Sequence, residues 1–78
     1  MRDDIKQILV KELSQKYGSN IDVHGDIIIV KNAAKPNAPI IPEEVDKIIN
    51  SAGTVSYMRT GQLVYTTNKN NLIIQYNP

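Results

Sequence analysis

The sequence predicts an α+β fold, with two amphipathic helices packed on one face of a mostly antiparallel sheet in the order α-β-β-α-β-β-β. Two stretches repeat apolar residues at helical spacing, and several short runs rich in branched and aromatic residues are bounded by turn formers. A length of 78 residues suits one domain, so residues 1–78 are read as a single compact unit with a proline-containing extended connection at about residues 31–42.

The first helix is expected from Arg2 or Asp3 to about Tyr17. Ile5, Ile8, Leu9, Leu13 and Tyr17 fall on one face. Asp3 and Asp4 stand near its start, where the helix dipole favours acids, and Gly18 suits the residue just past its end. A hairpin follows, Asn20 to Val23 and Ile27 to Lys31, turning at His24-Gly25-Asp26. A two-residue loop groups Ile21 and Val23 with Ile28 and Val30, whereas a three-residue loop groups them with Ile27 and Ile29; Asp22 faces the other way in either register. Because its second strand is apolar on both faces, that strand is expected inside the sheet and partly covered on both sides.

Pro36, Pro39 and Pro42 favour an extended connection, and Pro42 suits the first position of a second helix with Glu43 and Glu44 in its first turn. Val45, Ile48, Ile49 and Ala52 form its apolar face, joined by Ile41, and Gly53 is expected to end it. The remainder reads as a three-stranded meander, Thr54 to Arg59, Gln62 to Thr67 and Leu72 to Tyr76, with turns at Thr60-Gly61 and Lys69-Asn70. One face carries Met58, Leu63, Tyr65, Leu72, Ile74 and Tyr76. The other carries Val55, Tyr57, Arg59, Gln62, Val64, Thr66, Ile73 and Gln75, too mixed for a core and too apolar for a plain solvent surface. GDIIIVKN (25–32) and GQLVYTTN (61–68) echo one another, which suggests two α-β-β units.

Composition narrows the function. There is no cysteine, which excludes thiol chemistry and cysteine-based zinc sites, and the acidic N-terminus has no signal-like apolar stretch, so a cytoplasmic protein without membrane segments is expected. Nine Lys and Arg against eight Asp and Glu leave a charge of +1, unlike the strongly basic balance of a dedicated nucleic-acid coat. Asp22, His24 and Asp26 invite a metal or acid-base reading. With a single histidine the set falls short of the usual catalytic zinc ligands, and Asp and Gly are turn formers, so a hairpin tip is the stronger reading. No glycine-rich phosphate loop or nucleophile-base pair stands out, and the PxxP spacing at 36–42 lacks the flanking cation its ligands need.

A non-enzymatic binding module without cofactors is therefore expected, working through protein–protein interaction or self-association. Val55, Tyr57, Val64 and Ile73 would centre its interface, with Arg59 and Gln62 at the rim and the edge strand at Leu72 to Tyr76 as a second route. The alternative is a small nucleic-acid-binding protein that sets Lys31, Lys35, Arg59 and Lys69 on phosphates and Tyr57 on a base.

Overall fold

The computed structural model describes residues 3–33, 39–56 and 62–77, with side chains throughout except at 53–56. Helix α1 (Asp3–Tyr17) leads into strands β1 (Ile21–His24) and β2 (Ile27–Val30); helix α2 (Pro42–Ser56) leads into β3 (Gln62–Asn68) and β4 (Asn71–Asn77). The four strands form one antiparallel sheet in the order β1-β2-β4-β3.

Alternation along the strands divides the sheet into two faces. Ile28 and Val30 lie opposite Ile74 and Leu72, and all four are fully buried beneath Ile5, Leu9 and Leu13 of α1 and Val45, Ile48 and Ala52 of α2. Ile21, Leu63 and Tyr65 join them from the outer strands, so both helices cover the same face. α2 starts where its proline suggests: the Ile41 carbonyl accepts the N–H groups of Glu44 and Val45 at 3.0 and 3.2 Å, and Pro42, which lacks an N–H, takes the first helical position. Both hairpins close on two-residue loops, Gly25-Asp26 and Lys69-Asn70. Each loop begins with a left-handed residue, Gly25 at φ 59° and Lys69 at φ 57°, a conformation that suits glycine and strains lysine.

Three expectations need correction. Gly53 does not end α2, which continues to Ser56 and absorbs Thr54 to Ser56 from the expected strand. A glycine inside a helix costs only about 1 kcal/mol, which is not by itself enough to end one. The second half therefore contributes two described strands instead of three; Tyr57 to Gly61, and with them Met58 and the Thr60-Gly61 turn, lie outside the described residues, as does Pro36. Finally, β4 is an inner strand paired on both sides, and among the described residues β1 and β3 are the edge strands.

The order outer-inner-inner-outer reads alike from either edge, as two α-β-β units meeting at β2 and β4 would make it. The echo between 25–32 and 61–68 aligns β2 with β3, whereas topology makes β2 the counterpart of β4.

Candidate functional site

The face that the helices leave bare carries Asp22 and His24 from β1, Ile27 and Ile29 from β2, Ile73 and Gln75 from β4, and Gln62, Val64 and Thr66 from β3. Ile29 stands opposite Ile73, and Ile27 opposite Gln75, itself opposite Val64. Ile27, Ile29, Val64 and Ile73 thus make an apolar stripe over the middle of the sheet, each half-buried. Such a stripe exists because β2 and β4 are branched and apolar at successive positions, whereas a one-sided sheet needs apolar residues only at alternate ones.

Around the stripe the groups are mostly neutral: Gln62, Thr66, Asn71, Gln75 and Asn77. The charged corner is internally balanced. Lys31 Nζ meets Asp22 Oδ2 at 2.6 Å, and the lysine, through its hydrogen bond first and its charge second, holds the Asp22 carboxyl below the usual carboxylate value. His24 shares the Asp22 side of β1, and Asp26 sits in the loop beyond it. Among the described residues no three His, Cys, Asp or Glu side chains stand close enough together to hold a metal ion.

The residues singled out by sequence divide. Gln62, Val64 and Ile73 do meet on the bare face. Val55 does not, since it belongs to α2, and Tyr57, Arg59 and Lys35 lie outside the described residues. Lys31 and Lys69 come to the same end of the sheet, where the Asn32 N–H donates to Asn71 Oδ1 at 3.2 Å, but they serve different sides. Lys31 is engaged by Asp22 on the bare side, while Lys69 borders a groove with Tyr65, Thr67, Pro39, Ile40 and Pro42 on the helical side. Sequence reasoning missed Ile27 and Ile29 as members of the site. Their signal was present in the doubly apolar second strand, which was expected to be covered.

A second groove lies between the helices, lined by Glu12, Gln15, Lys16, Glu44, Lys47 and Ile48. Lys16 Nζ and Glu44 Oε2 meet there at 2.8 Å, joining the end of α1 to the start of α2. Beside this pair Tyr17 is 7% exposed, and its hydroxyl makes no well-formed hydrogen bond among the described residues. Burial pushes the phenol pKa up, and the Lys16 charge and the Ile41 backbone oppose that shift.

Among the described residues no helix is long and apolar enough to cross a membrane. Compared with protein-family models, with curated proteins and with solved structures, the chain matches none.

Proposed function

We propose that this chain is a non-enzymatic binding domain whose bare sheet face docks on a protein. The observation that carries the reading is the stripe of Ile27, Ile29, Val64 and Ile73, apolar at its centre and rimmed by amides and hydroxyls. Protein interfaces have that anatomy, a water-excluding apolar centre inside a polar rim. Nucleic acid calls for clustered cations that displace counterions, and Lys31 on this side already neutralises Asp22.

Two measurements test the reading together. Fluorescent duplex DNA, single-stranded DNA and RNA are titrated at low and high salt, and the tagged chain is compared with Ile73→Lys for a protein retained at high salt. The expected result is no submicromolar nucleic-acid binding and a salt-resistant partner lost in Ile73→Lys. Tight nucleic-acid binding that collapses with salt would transfer the function to Lys31, Lys35, Tyr57, Arg59 and Lys69.

A further inference from the structure

The two edge strands of the described sheet differ. β1 is four residues long and carries Asp22 and His24, features that discourage strand addition. β3 is seven residues long, QLVYTTN, with no charge and no proline.

The pairing pattern shows what β3 offers. Asn68 and Asn71 close a two-residue loop, and such a closing pair exchanges both backbone hydrogen bonds. Alternation then turns the N–H and C=O groups of Gln62, Val64, Thr66 and Asn68 toward β4, and those of Leu63, Tyr65 and Thr67 toward the open edge. The inner strands bear this out: the same alternation directs Leu72, Ile74 and Tyr76 at β2, and the Tyr76 N–H donates to the Asp26 carbonyl at 3.0 Å. Among the described residues β3 has no strand neighbour except β4.

We infer that β3 pairs with β3 of a second copy, antiparallel about a twofold axis at Tyr65. Only an even register keeps both helical layers on one side, and centring on Tyr65 sets Tyr65 opposite its own mate and Leu63 opposite the mate's Thr67. All three outward residues of each copy are then used, in about six backbone hydrogen bonds. A twofold interface sets each patch against itself, so it must be self-complementary. The uncharged 62–68 strand meets that condition, and Lys69, just past its end, is carried to opposite ends of the pair. On the helical side, the groove between Tyr65, Thr67 and Ile40 opens beside the same edge and receives the mate's side chains.

Area favours a second copy over a lone domain. Two four-residue strands of about 13 Å and two seven-residue strands of about 23 Å, about 4.8 Å apart, present roughly 350 Å² of bare sheet in projection, less than half of the roughly 800 Å² per partner in a standard interface. Edge pairing merges two bare faces into one surface of twice the width. The inference rests on the reading of the chain as a binding domain, and names its first partner as itself.

The test is the mass in solution of the chain and of Thr67→Pro, with amide exchange as a second readout. The Thr67 N–H points away from β4, so the proline removes it without breaking the fold's own ladder. The wild type is expected to rise with concentration from 8.7 kDa to twice that mass, while Thr67→Pro stays at 8.7 kDa. In the wild type, exchange at Leu63, Tyr65 and Thr67 is expected to slow about tenfold or more from dilute to concentrated solution, whether or not the proline variant folds. A mass of 8.7 kDa throughout, a doubled mass that a folded Thr67→Pro retains, or exchange independent of concentration overturns the inference. Ile29→Lys, on the bare face but two strands from this edge, keeps the doubled mass even if it abolishes docking, which separates a failure here from a failure of the bare-face reading.

Discussion

Ile73 and Ile74 are neighbours in β4 with opposite surroundings, and replacing each in turn by alanine tests the layer arrangement from which the bare face follows. Ile74 is 0% exposed, set between Ile28 and Tyr65 under both helices; Ile73 is half-buried on the uncovered side. Each substitution removes the same carbons, about 2.4 kcal/mol of transfer energy at about 0.8 kcal/mol each if fully buried. At Ile74 the helices cannot follow the lost volume, and the cavity left behind raises the cost to about 3–4 kcal/mol. At Ile73 no helix of the described residues lies above and the side chain is half-buried, so only part of the transfer term is lost, about 1 kcal/mol. A domain of this size has roughly 4–12 kcal/mol of stability in all, so Ile74→Ala removes a large share of it. In urea, with a slope of about 1 kcal/mol/M, the midpoint should fall by about 3 M for Ile74→Ala and about 1 M for Ile73→Ala. Equal losses, or a larger loss at Ile73, would refute the assignment of covered and uncovered faces.

Other consequences follow from single groups. Tyr17→Phe removes a buried hydroxyl that makes no well-formed hydrogen bond among the described residues, so stability should be unchanged or rise by up to about 1 kcal/mol in the same urea assay; a clear loss would reveal a partner. Lys69→Gly relieves a left-handed lysine and should raise the thermal midpoint, by about 0.5–1 kcal/mol of stability; no gain would show that the loop carries no strain. Asp22 has a folded pKa below its ordinary 3.8, so the stability it contributes is complete above that value and is lost as the pH falls through the lowered folded value. The stability gap between the wild type and Asp22→Asn should therefore close below about pH 3.8, and a gap that persists at lower pH would show that the Lys31 pair is not its source.

Much of this fold is legible in the sequence because the signals are local. The spacing of Ile5, Leu9 and Leu13 sets the buried side of α1, Pro42 sets the start of α2, and the two loop pairs set hairpin registers that place Tyr65 opposite Ile74. Strand order was not legible, because β2 pairs with β4 across more than forty residues and nothing local encodes that choice. The end of α2 was misread because Gly53 and the branched residues after it signal a helix stop and a strand start, whereas the helix runs on to Ser56. That error placed Val55 on the candidate surface, whereas the structure gives it to α2. Ile27 and Ile29 were left off that surface for a separate reason: a doubly apolar strand is expected to be covered on both sides, and among the described residues a helical layer covers one.

The central claim is that the bare sheet face engages a protein. A photo-cross-linking residue placed at Ile73, with the same residue at Glu12 on the exposed side of α1 as a control, tests it most directly in cells that produce the chain. The account predicts adducts with protein from position 73, lost when Ile29→Lys is added and absent from position 12. Adducts with nucleic acid from position 73, or equal yields from both positions, would contradict it.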